Sequence, residues 1–182
     1  MARQTTSQEH SANVRRKSST PLTVQPYRDP QLHSTLCALV EVNGTKAYTL
    51  FDTGSTTDSI TPEFTHITRA PKIVLEEQVT LQLGCTGSRS KISYGTRVPV
   101  KIGPIAEVVY FDVVNLDRYD CVIGTPFMTQ HGVVLDMKNR QILIGGKPIP
   151  AFTIDEDREY RKHKKQGKPD EKPSQHGGKT SQ

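Results

Sequence analysis

The chain of 182 residues has no tryptophan, and only 6% of it is aromatic. With 34% hydrophobic and 24% charged residues and a mean hydropathy of −0.55, it is too polar to be globular throughout. Polar ends around a compact middle are expected. Cysteine is scarce and odd in number: Cys37, Cys85 and Cys121 stand far apart, no C-x-x-C occurs, and no histidine sits at zinc-ligand spacing. That argues against a zinc ribbon or knuckle and for three reduced thiols in an intracellular protein. No apolar run approaches the ~18 residues of a membrane span. The stretch "MARQTTSQEHSANVRRKSST" lacks the apolar segment of a secretory signal. Its Arg, Ser and Thr content has a faint transit-peptide character, which Glu9 and the missing apolar spacing argue against. His10, His33, His66, His131, His163 and His176 form no ligand grouping, and without a nucleophile-elbow glycine pattern no Ser-His-Asp constellation can be argued. No metal, no cofactor and no membrane partner are expected.

Positive charge is confined to the ends. Residues 1–30 hold five Lys/Arg against two Asp/Glu, residues 154–182 hold eight against six, and residues 31–153 hold eleven of each. The pI near 9.1 therefore belongs to the tails. A nucleic-acid-binding fold is expected to carry a basic face, so nucleic acid is expected only weakly, through the tails, in a salt-sensitive way.

The same shift in composition divides the chain. Residues 1–30, ending in "PLTVQPYRDP", read as a disordered lead, and 154–182 as a disordered charged tail. Residues 31–153 read as one all-β domain, a barrel or sandwich-like fold with one or two short helices. "TLCALVEV" runs into Asn43-Gly44, a strong hairpin signal, and "TKAYTLF" returns. "VTLQLGCTGSRSKISYG" reads as two alternating arms around a Gly-containing turn. "RVPVKIGPIAEVVYFDVV" gives two strands bent at Gly103-Pro104, and "QILIGGKPI" closes the set, with Gly145-Gly146 as a turn. Thr61-Pro62-Glu63 and Thr125-Pro126 each place a cap before a first-turn proline, and Gly132 stops the second helix.

One carboxylate stands out. In "YTLFDTGSTTDSI" Asp52 follows the apolar Leu50 and Phe51 and opens a Thr53-Gly54-Ser55 turn. An apolar strand would deliver it to a partly dry floor, where burial disfavours charge. Gly54 permits close backbone approach, and Ser55 can donate to a carboxylate or to a bound peptide. Taken alone, D-T-G is read equally well as a strand-end Asp capping a turn. The context bears on that choice: about 70 residues on comes "YDCVIGTPFMTQHG", with the apolar pair Val122-Ile123, then Gly124, then a short helix.

On these elements, in this order and spacing, the chain resembles the retroviral-type (retropepsin-like) aspartic proteases, particularly the protease segment of long-terminal-repeat, gypsy-type retrotransposon polyproteins. The resemblance runs from about Leu36 to Phe152. It implies a closed, barrel-like β fold that is half of an enzyme: two chains each supply one D-T-G, so a homodimer is the active unit. The sequence has a single D-T-G, which agrees. The implied activity is aspartic endopeptidase cleavage of a peptide or polyprotein, in the cytoplasm or within virus-like particles. The alternative is a catalytically inactive, domesticated module for dimerisation or peptide binding.

The resemblance assigns Asp52 the catalytic role and Thr53, Gly54 and Ser55 the active turn. It makes Gly84, Cys85, Thr86 and Gly87 a flap over the substrate, the bland reading being an ordinary surface hairpin. Val122, Ile123 and Gly124 become pocket wall and support. One departure is visible. Many relatives pair an Asp soon after the active turn with an Arg just past the apolar-apolar-Gly element, and here those places hold Thr56-Thr57 and Thr125. Asp58 reads as a strand-edge or loop acid, the alternative being a substrate contact.

Overall fold

Asn43 and Gly44 both take left-handed backbone angles, φ 49° and 77°, as a tight primed turn requires. They reverse strand β1 (Cys37–Val42) into β2 (Thr45–Phe51), paired antiparallel from Cys37↔Leu50 to Val42↔Thr45. The structure is a computed structural model that describes residues 24–82 and 89–166. Onward from β2 come β3 (Ser59–Ile60), α1 (Pro62–Ile67), β4 (Ile73–Gln82), β5 (Arg89–Ile102), β6 (Ile105–Val113), β7 (Cys121–Ile123) and α2 (Thr125–Gln130). β8 (Val134–Asp136), β9 (Gln141–Ile144), β10 (Lys147–Ile149) and α3 (Ile154–Gln166) complete the described chain.

Six strands close into a ring in the order β1-β2-β7-β3-β6-β5, and β5 returns to β1 through Glu41↔Lys101 and Val42↔Val100. Closure removes the open edges a flat sheet would carry. β4 lies outside the ring, paired only with β5. Alternation in the sequence drives the inside-outside sorting. Thr96, Val98, Val100 and Ile102 of β5 are buried, while Arg97, Pro99 and Lys101 between them are exposed. Phe111, Ile123, Val40 and Ile60 meet them in one core. Gly103, at φ 53°, turns β5 into β6, the bend anticipated at Gly103-Pro104.

Three expectations are corrected. "QILIGGKPI" forms β9 and β10 as anticipated, turning at Gly145 and Gly146 with φ 57° and 75°, but these strands join β8 in a separate three-stranded sheet. That sheet reaches the same core through Ile142, Ile144 and Ile149. Second, residues 154–166, expected to be unstructured, form the 13-residue helix α3, so the described residues hold three helices rather than one or two. Its stripe toward the barrel is polar, which hid it: Asp157 is 1% exposed, pairs with Arg161 and accepts the Tyr48 hydroxyl. Lys164 reaches Asp120 at 2.6 Å, and Tyr160 stacks near Tyr48 and Phe152. Third, the cap of α2 is Gly124 rather than Thr125. The Thr61 cap of α1 is as expected, its side chain accepting the Phe64 amide at 3.2 Å.

Candidate active site

Asp52 stands at the first position past β2, where three hydrogen bonds define its turn. Its amide donates to the Ile123 carbonyl at 3.0 Å, and the Ser55 amide donates to its carbonyl at 3.2 Å. The Gly54 amide donates to the Asp52 side-chain Oδ1 at 2.8 Å. The parallel pairing of β2 with β7, Leu50↔Val122 and Phe51↔Ile123, thus brings the two sequence elements, about 70 residues apart, side by side. Phe51 and Ile123 are buried beneath the turn, as is Val122. Thr53 and Gly54 are exposed, and Asp52 and Ser55 half-buried. Where a partly dry floor was expected, Asp52 is thus only half shielded from solvent.

Gly124 is a glycine for space rather than for backbone angle, since its φ is −98°. A Cβ there would stand 2.4 Å from the Thr57 carbonyl oxygen and 2.7 Å from that of Ser55. No such contact is tolerable, so the turn can lie on the start of α2 only over a glycine. The next residue, Thr125, donates its amide to the Ser55 carbonyl at 2.9 Å.

Residues to which the sequence gave no role complete the support. Asp58, read as an edge or loop acid, is buried and accepts the Gly124 amide at 2.7 Å. Burial pushes its carboxyl up to about 6; the Gly124 and Phe127 amides pull the other way, Asp112 adds to the rise, and His131 opposes it. Thr57 donates to Asp112, whose other oxygen accepts the Tyr110 hydroxyl at 3.0 Å. A cavity of about 720 Å³ opens beside the turn, bounded by Thr56 and Thr57, by Val79 to Leu81 of β4, and by Arg97 and Tyr110. The one signal that could have found Asp58 was the helix "TPFMTQ" preceded by a glycine that has no capping side chain.

Gly84, Cys85, Thr86 and Gly87 lie outside the described residues; the arms leading to them, β4 and β5, pair as far as Gln82↔Arg89. Among the described residues, no group of three or more His, Cys, Asp or Glu could hold a metal ion, and no helix is long and apolar enough to cross a membrane.

A closed barrel that sets an Asp-Thr-Gly turn between two buried strand ends, braced by a Gly-led helix, is an acid-protease type of architecture. The chain belongs to the retroviral aspartyl protease family, whose family model matches residues 29–148. Among solved structures it is similar to the retroviral protease-like domain of Ddi1 from Leishmania major. That match has a TM-score of 0.52 and 14% identity over 67% of this chain and 97% of that one. It is also similar to EIAV protease complexed with the inhibitor HBY-793, with a TM-score of 0.40 and 21% identity over 56% of this chain and 91% of that one. No curated protein sequence matches the chain significantly.

Proposed function

We propose that the protein is an aspartic endopeptidase whose active unit is a homodimer, with Asp52 from each copy forming the catalytic pair. The observation that carries this reading is the placement of Asp52: a single half-exposed carboxylate on a turn fixed by Ile123, Gly54 and Gly124, in a chain of this family with one such turn. Two carboxylates about 3 Å apart cannot both ionise cheaply, so they share a proton. The ionised one takes a proton from a water as that water's oxygen bonds to the scissile carbonyl carbon, and the protonated one donates to the carbonyl oxygen. The tetrahedral adduct then re-forms the carbonyl, its C–N bond breaks, and the leaving amine takes up the proton drawn from the water. The Gly54 amide bond to Oδ1 orients the carboxylate for this, and the second copy supplies the burial that one chain lacks. Thr53, exposed beside it, faces the partner copy. The peptide lies beside the turn, in the cavity bounded by Thr56, Thr57 and the β4 arm. A retrotransposon-type polyprotein is the substrate class we favour.

The test is Asp52→Asn in the full chain, assayed against a mixed peptide library near pH 5 with and without a statine-type inhibitor. Cleavage should be inhibitor-sensitive and should fall by a factor of at least about 10²–10⁴ in the variant. Turnover should also vanish on dilution in step with the dimer, followed by sedimentation. An Asp52→Asn protein that cleaves at the wild-type rate ends this reading. A stable dimer that leaves every peptide intact assigns the chain instead to inactive peptide-binding or dimerisation modules.

A further inference from the structure

Asp58 is a buried carboxylate that the hydrolytic chemistry leaves unused. Its Oδ1 accepts the Gly124 amide at 2.7 Å, and the Phe127 backbone amide also favours its charged form. Both N–H groups belong to the start of α2, where a helix leaves its first amides unpaired and where Gly124 has no side chain to offer them. The neighbouring ties between turn and helix are backbone ones: Thr125 amide to Ser55 carbonyl, and the close seat of Gly124 on the carbonyls of Ser55 and Thr57. Asp58 adds a side chain that reaches across the same seam, from the far end of the turn that begins at Asp52.

We propose that Asp58 is a positioning residue, a lock that holds the Asp52 turn against the N-terminus of α2 and so fixes where the Asp52 carboxylate points. It does not touch the reacting atoms. Its kinetic consequence rests on the reading of Asp52 as catalytic, whereas the lock itself does not. Geometry also makes the lock sensitive to pH, because the carboxylate is shut in among charged groups from each neighbouring element. Asp112 of β6 disfavours its ionisation and His131 at the end of α2 favours it. His131 is itself held by Glu107 of β6 at 2.7 Å, Arg97 of β5 borders the same cavity, and Asp52 lies in its own turn. Burial outweighs the two amides and places the transition near pH 6.

Three full-length proteins test this: wild type, Asp58→Asn, which keeps an acceptor oxygen but cannot ionise, and Asp58→Ala, which has neither property. The first readout needs no activity. The Gly124 and Phe127 amide resonances, followed by NMR from about pH 4.5 to 8, should inflect near pH 6 in the wild type and lose that inflection in Asp58→Asn. A flat Gly124 amide in the folded wild type overturns the lock. The second readout is peptide cleavage. Asp58→Ala should lower kcat about 10- to 100-fold with KM within about twofold, as expected when positioning alone is lost, and Asp58→Asn should restore most of kcat. A rise in KM at constant kcat would make Asp58 a substrate contact instead and overturns the proposal. Should the alanine variant not fold, the asparagine variant decides: a pH–rate limb near 6 that survives Asp58→Asn counts against the lock. A wild type that cleaves nothing, yet shows the Gly124 inflection, removes the hydrolytic reading and leaves the lock standing.

Discussion

Tyr48 and Asp157, 109 residues apart, meet inside the protein, the tyrosine hydroxyl donating to the aspartate carboxylate. Burial, and next the bond to Asp157, push the tyrosine hydroxyl well above its ordinary range. Arg161 pairs with the same carboxylate from one turn further along α3. The helix is therefore fastened to β2 by this polar cluster together with the contact of Tyr160 on the Tyr48 ring. Truncating Asp157 to alanine leaves a buried hydroxyl and a guanidinium without their acceptor. The expected loss is about 2–4 kcal/mol of unfolding free energy, read from urea denaturation. Asp157→Asn, which keeps an acceptor oxygen, should lose less. An alanine variant as stable as the wild type would show that α3 is held some other way.

Gly124→Ala tests the seat of the Asp52 turn. The added Cβ meets the carbonyl oxygens of Thr57 and Ser55, backbone atoms that cannot swing aside, so the turn must lift. Overpacking of this kind costs about 1–3 kcal/mol. A displacement of about 1 Å at the carboxylate costs cleavage about 10²-fold. Both are measurable on one preparation, by denaturation and by peptide turnover. Full activity in a folded Gly124→Ala protein would refute the close packing.

The parts legible in the sequence were those dictated by local chemistry. Asn43-Gly44 and Gly145-Gly146 announced their turns because the residue types allow the required angles, and the alternation through Val98, Val100 and Ile102 announced a strand with one buried face. The neighbourhood of Asp52 and Gly124 was legible only as a resemblance, since nothing local says that residues 51 and 123 pair. Helix α3 was not legible. "DEDREYRKHKKQ" has the composition of a solvated tail, and it is ordered by partners such as Tyr48 and Asp120, which no window around it contains. Asp58 escaped for a related reason: its burial comes from α2 and β6, and its capping role from an amide 66 residues away.

Gly95 and Tyr110 make a pair whose coupling can be measured. A Cβ on Gly95 would stand 2.3 Å from the Tyr110 hydroxyl and 2.6 Å from its ring, so the hydroxyl end of the ring lies over the glycine, where the hydroxyl also reaches Asp112 at 3.0 Å. Gly95→Ala forces the ring away and forfeits that bond, at a cost of about 1–2 kcal/mol. With Tyr110→Ala as background the obstruction is gone. The same Gly95→Ala change should then be neutral, or stabilising by about 0.4–1 kcal/mol, through the lost freedom of the unfolded chain. Equal effects in the two backgrounds would mean that the ring does not rest on Gly95.

Asp58 also gives stability a defined dependence on pH. Its carboxyl is raised from 3.8 to about 6 in the fold, so the native state holds this proton more tightly than the unfolded chain does. The resulting stabilisation is complete below about pH 3.8 and is lost as the pH climbs through 6. Each tenfold gain in proton affinity is worth about 1.4 kcal/mol, so the whole effect is about 2–3 kcal/mol. Other groups titrate over the same range, so the informative quantity is a difference. The unfolding free energy of the wild type minus that of Asp58→Asn, from urea curves at fixed protein concentration, should fall by about 2–3 kcal/mol between about pH 4 and pH 7. A difference that stays level would mean that the carboxylate titrates as if solvated. A rise would mean that the Gly124 and Phe127 amides outweigh burial and hold it charged.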